Sequence, residues 1–163
     1  MYSFTINTDA SHHPETKASA WACWIKSTHY KIKESGLFPD GAPNSSVAEL
    51  MAIEQAFILL DKLIDSEPFL RSQRDGAGIL IYINTDSMWT INALSNKVKR
   101  SKHRDIARRI RSLTEDYEVQ LRHVKAHTKI KDSRSWVNNW CDKAAKLLVR
   151  QKVGEINATT QKI

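Results

Sequence analysis

With 163 residues, 41% hydrophobic and 26% charged, the chain has the length and composition of one ordinary globular domain, which excludes both a disordered polymer and a membrane-spanning one. Its 25 Lys and Arg against 18 Asp and Glu leave a net charge of +7 and a pI near 9.5, a balance that favours a polyanionic partner such as nucleic acid.

Met1 to Ile6 lack the basic start and apolar run of a signal peptide, so an intracellular, cytoplasmic location is expected. The alternation Tyr2, Phe4, Ile6 predicts a strand ending at a turn at Asp9. Ser19 to Ile25 and Thr28 to Gly36 predict two more strands, and their short link implies an antiparallel meander. A loop with Pro39, Gly41 and Pro43 follows. Val47, Leu50, Met51, Phe57, Leu60 and Ile64 then fall on one side of a long helix, broken before Pro68. A second loop, 66–78, precedes the apolar, β-branched run Ile79 to Ile83, a buried strand whose helical crossover implies a parallel neighbour. Met88 to Leu94 is a short helix, and a further helix lies around Asp105 to Thr114. Glu118 to His123 is a strand, and a last helix runs from about Ser135 to Arg150. The order is that of an α/β domain with a mixed sheet. Val153 to Ile163 has few apolar residues and is expected to fray. Cys23 and Cys141 form no Cys-x-x-Cys pair and no disulfide framework, and read as buried free thiols.

The positive charge is concentrated. Lys97, Lys99, Arg100, Lys102, Arg104, Arg108, Arg109 and Arg111 crowd one segment that holds a single acid, Asp105, and Lys125, Lys129 and Lys131 lie in a second basic run. Either run could be a solvated helix face, but together they suit a phosphate backbone.

Four acids stand in short local signatures spread along the chain: Asp9 in Thr-Asp-Ala-Ser, Glu49 in Ala-Glu-Leu-Met-Ala, Asp86 in Asn-Thr-Asp-Ser, and Asp142 in Asn-Asn-Trp-Cys-Asp. Asp9 and Asp86 fall just past predicted interior strands, where α/β sites open. Glu49 falls in the first turn of the long helix and Asp142 in the body of the last. Convergent carboxylates suit hard divalent cations such as Mg²⁺ and phosphodiester hydrolysis. Each acid alone also has a structural explanation: Ser46 and Glu49 as a capping box, Asp86 as a helix cap, Asp9 as an Asx turn, and Asp142 facing solvent.

These local sequences, with Val124-Lys125-Ala126-His127, resemble the motifs of the type 1 ribonuclease H family in order and placement over roughly residues 2–150. The resemblance implies a ribonuclease H-like fold, a five-stranded mixed sheet flanked by helices, with residues 1–150 as the catalytic domain and 151–163 as a flexible tail. It implies an endonuclease that hydrolyses the RNA strand of RNA–DNA hybrids and leaves 5′-phosphate and 3′-hydroxyl ends. Asp9, Glu49, Asp86 and Asp142 would hold two Mg²⁺ ions, or Mn²⁺, about 4 Å apart. His127 would transfer protons near the scissile phosphate or assist product release. Ser11, Asn44, Ser45, Ser46 and Met88 would sense the substrate, including its 2′-hydroxyl. Trp89 or a neighbouring aromatic would lie against a sugar, with a place in the core as the equal alternative for Trp89, and Lys97, Lys99, Arg100, Lys102 and Arg104 would follow the DNA phosphates. A monomer is the default expectation.

Several residues depart from the family pattern. Ala10 and Ala126 replace glycines, which predicts a stiffer backbone near the metals or a shifted contact to the substrate. His12-His13-Pro14-Glu15-Thr16 replaces a glycine-rich turn. The alternatives are a hybrid-binding module with weakened catalysis and another nuclease or integrase of the same superfamily.

Overall fold

The computed structural model describes residues 1–95, 101–124 and 133–161. Five strands, β1 (Tyr2–His12), β2 (Ser19–Lys26), β3 (Lys31–Leu37), β4 (Ile79–Thr85) and β5 (Glu118–His123), form one sheet in the order β3-β2-β1-β4-β5. β1, β2 and β3 pair antiparallel, while β4 lies parallel to both β1 and β5, so the sheet is mixed as expected. The helices are α1 (Ser45–Ser66), α2 (Pro68–Asp75), α3 (Met88–Leu94), α4 (Ser101–Leu113) and α5 (Ser133–Gln161).

The alternation of side chains along the strands divides the core into two layers. Phe4 and Ile6 of β1, Trp21, Cys23 and Ile25 of β2, and Ile79, Ile81 and Ile83 of β4 pack beneath α1. There they meet Val47, Leu50, Ile53, Phe57, Leu60 and Ile64, whose spacing of three or four residues gives the helix one continuous apolar face. On the other side, Ala20, Ala22 and Trp24 pack against Cys141, Ala145 and Val149 of α5, small residues that admit the helix close to the sheet. β2 is therefore buried on both faces. Both cysteines are buried free thiols.

Several elements differ from the sequence expectation. β1 does not stop before Asp9: its pairing with β4 ends at Asn7–Asn84, but its ladder with β2 continues to His12–Ser19. Residues expected as loop before β4 contain α2, because Pro68 sits at the first helical position, where its missing N–H costs nothing. The cap of α1 is Asn44, whose side chain accepts from Val47 N–H at 2.9 Å, and no Ser46 capping box forms. Ser87 rather than Asp86 caps α3, accepting from Thr90 N–H at 3.1 Å. α5 continues past Arg150 to Gln161, with Val153 packed against the second layer. In the β1–β2 turn that lacks family glycines, Lys17 adopts the left-handed conformation at φ 63°. Among the described residues, no helix is long and apolar enough to cross a membrane.

Candidate metal centre

The two central parallel strands deliver two of the acids. Asp9 lies on β1 just beyond the last β1–β4 pair, and Asp86 follows Thr85, the final residue of β4. The Asp86 turn is fixed from several directions. Ser87 N–H donates to Thr85 Oγ1 at 3.2 Å, Val124 N–H donates to Thr85 O at 2.8 Å, and the His123 Nε2–H donates to Asp86 O at 3.1 Å. Glu49 comes from the opening of α1, set by the Asn44 cap.

Asp9, Glu49 and Asp86 present carboxylate oxygens that all lie within 4.8 Å of one another. The backbone amide of Ala10 joins two of them, donating to Asp9 Oδ1 at 2.9 Å and to Glu49 Oε1 at 3.3 Å. The alanine at this position thus retains a backbone contact to both acids from an ordinary strand conformation.

Asp142 stands outside that group of three, although its charge reaches Asp9. Its Oδ2 accepts from Lys146 Nζ at 3.0 Å, one turn along α5. Neither Lys146 nor the Ala10 amide is among the residues that the sequence motifs mark. The lysine was legible as an i,i+4 partner, whereas the amide, a backbone group, carries no sequence signal.

Burial, then the charge of Asp86, pushes the Asp9 carboxyl up to about 7, against a lowering hydrogen bond from Glu49. Glu49 is raised well above the ordinary carboxylate range, first by burial and then by Asp9. Carboxyls crowded in this way retain a proton unless a cation compensates them. Asp9 is only 4% exposed, and its Oδ2 has no hydrogen-bond partner among the described residues. A buried orphan oxygen beside two further carboxylates is chemically suited to a hard, oxygen-seeking divalent cation. The residues fit such an ion.

The remaining predicted residues are distributed around this centre. Ser11 is half-buried on β1, Asn44 and Ser45 are exposed, and Ser46 is half-buried at the start of α1. Met88 is half exposed, while Trp89 packs against the core beneath α1. Arg104 is exposed on α4, and Lys102 lies in that helix's first turn. Arg109 is held by Glu54 of α1, with Nε donating to Oε2 at 2.7 Å. Lys97, Lys99, Arg100, Ala126 and His127 lie outside the described residues.

Among solved structures, the N-terminal RNase H domain of rv2228c from Mycobacterium tuberculosis, studied as a fusion with maltose-binding protein, matches with a TM-score of 0.67. The match covers 96% of this chain and 99% of that one at 12% identity, and it shows a shared fold. No curated protein matches the sequence. The family model described as RNase H matches residues 1–150, so the chain belongs to the ribonuclease H family.

Proposed function

We propose that this chain is a metal-dependent endonuclease that hydrolyses the RNA strand of RNA–DNA hybrids, leaving 5′-phosphate and 3′-hydroxyl ends. Family membership supports nuclease action on such hybrids. The observation that carries the metal-dependent reading is the convergence of Asp9, Glu49 and Asp86 within 4.8 Å around an orphaned Asp9 oxygen.

Asp9, Glu49 and Asp86 would hold divalent cations, joined by Asp142 once Lys146 is displaced. When bound, two Mg²⁺ or Mn²⁺ ions supply an activated water and neutralise charge on the leaving oxygen. The protein supplies the remaining functions. The Ala10 amide keeps Asp9 and Glu49 together, and the anchored Asp86 turn presents the third acid against them. His127 moves a proton near the scissile phosphate or assists product release. Ser11, Asn44, Ser45, Ser46 and Met88 face the minor groove and sense the 2′-hydroxyl. Lys97, Lys99, Arg100, Lys102 and Arg104 track the DNA strand by phosphate contacts. The protein acts in the cytoplasm as a monomer.

The test offers the protein end-labelled RNA–DNA hybrid, RNA duplex, DNA duplex and branched DNA in parallel. Internal cuts confined to the RNA strand of the hybrid are expected. Tight hybrid binding without cuts would replace this reading with an inactive binding module, and preferential cutting of branched DNA would replace it with a junction nuclease.

A further inference from the structure

A cleft of about 680 Å³ opens on the face of the sheet opposite α1, beside the start of α5. Among the described residues, α5 packs mainly on β1, β2 and β3. Ser3, Thr5 and Asn7 alternate with the core residues Phe4 and Ile6, and so point away from α1. The volume lies within the roughly 300–1,000 Å³ of typical small-molecule sites. Lys26 and Arg122 line the cleft, and no acid lines it among the described residues, which makes this lining cationic.

Three of its lining residues carry buried polar atoms without a hydrogen-bond partner among the described residues: Asn7 Oδ1, Asn84 Nδ2 and Trp24 Nε1. Asn7 and Asn84 are only 6% and 1% exposed, and they are direct register partners on adjacent parallel strands. The Asn84 amide is oriented by Arg122, whose Nε donates to Asn84 Oδ1 at 2.9 Å and whose guanidinium lies 4.3 Å from the Tyr82 ring centroid. Asn7 thus keeps an acceptor, and Asn84 a donor, without a partner among the described residues. Buried polar groups are seldom left unpaired, so three in one cleft call for a partner. Trp24 and Trp136, whose ring centroids are 5.0 Å apart, supply an aromatic wall, and Trp136 is 58% exposed.

We propose that this cleft binds a single unpaired nucleotide. Its base would present a donor and an acceptor edge to Asn7 and Asn84 and lie against the exposed Trp136, and its phosphate would meet Lys26 or Arg122. Aromatic stacking combined with edge hydrogen bonds is how unpaired bases are held. The nucleotide's source is either a free mononucleotide or an unpaired residue of a strand. The proposal does not depend on the metal-centre reading.

The test is calorimetric titration with AMP and UMP in the presence of chelator, so that no ion at the acidic centre contributes and no cleavage is read. Ribose 5-phosphate and inorganic phosphate serve as baseless controls, and a short single-stranded oligonucleotide serves as the second source. Saturable nucleotide binding is expected, weakened about tenfold or more by Asn84→Ala and about fivefold by Trp136→Ala, a change at an exposed position that spares the fold. Equal affinity for mononucleotide and oligonucleotide assigns the site to free nucleotides, and a preference for the oligonucleotide assigns it to a strand. Equal binding of ribose 5-phosphate, absence of nucleotide binding, or binding unaffected by Trp136→Ala would overturn the proposal.

Discussion

Lys146 Nζ lies 3.0 Å from Asp142 Oδ2, so the acid on α5 carries its own counter-ion within the same helix. The lysine side chain is 46% exposed and the aspartate 22%, which makes this an i,i+4 surface pair. Such pairs contribute about 0.3–0.5 kcal/mol. A divalent cation competes easily with so weak a partner.

Lys146→Met should therefore change stability by less than about 0.5 kcal/mol. It should also lower the metal concentration that half-saturates hybrid cleavage by about twofold, because Asp142 no longer has to be released, a free-energy change of roughly 0.4 kcal/mol. A metal titration beside a thermal melt checks both. A higher metal requirement in the variant would mean that the lysine positions Asp142 rather than competing for it.

The Asp9 carboxyl, raised from its ordinary 3.8 to about 7, keeps a proton in the folded state that the unfolded chain has already lost. Stability from this group is thus present at low pH and lost as pH rises towards 7. In chelator, wild type should lose roughly 1–3 kcal/mol relative to Asp9→Asn between pH 5 and pH 8. Mg²⁺ should return that lost stability to wild type at pH 8. Urea unfolding at both pH values is the measurement, and parallel behaviour of the two proteins would contradict the raising of the buried Asp9 carboxyl.

Ala10→Gly restores the residue usual in the family, yet Ala10 already adopts an ordinary strand conformation and donates to both acids. The substitution should cost about 0.5–1 kcal/mol through chain entropy. Cleavage should stay within about twofold, since a backbone amide is retained and a twofold change is only roughly 0.4 kcal/mol. A several-fold gain in rate would show that the methyl group obstructs the substrate.

Asn44 uses its side-chain oxygen to cap α1. Asn44→Ala should lower stability by about 1 kcal/mol, whereas Asn44→Asp preserves the cap and should not. Both variants lose the amide donor, so both should weaken hybrid binding if Asn44 also meets a ribose. Binding that follows stability, weakened by alanine but not by aspartate, would confine the residue to its capping role.

Local signals in the sequence were legible wherever the structure used them locally. The apolar run Ile79 to Ile83 opens β4, an interior strand of the sheet, Met88 to Leu94 is α3, and Glu118 to His123 is β5. What stayed hidden depends on partners distant in sequence. β1 continues past Asp9 because β2 lies beside it, and Val153 extends the packed face of α5 because Ala20, Ala22 and Trp24 lie beneath that helix. Pro68 reads as a helix breaker when it is also a helix starter, which hides α2 from the sequence. Asn44 precedes two serines that are equally good caps, and only the backbone geometry chooses among them. At the site, the motifs around Asp9, Glu49 and Asp86 marked three acids that the fold brings together. The pairing of Asn7 with Asn84 is a matter of register, which no local pattern reveals.

The most direct test of the metal centre is single-turnover cleavage of an end-labelled RNA–DNA hybrid by wild type and by Asp86→Asn, each titrated with Mg²⁺ and then treated with chelator. Cleavage by wild type that depends on Mg²⁺, stops with chelator, and is lost in a variant that melts like wild type is the predicted result. Wild-type turnover by Asp86→Asn, or cleavage that persists in chelator, would contradict it.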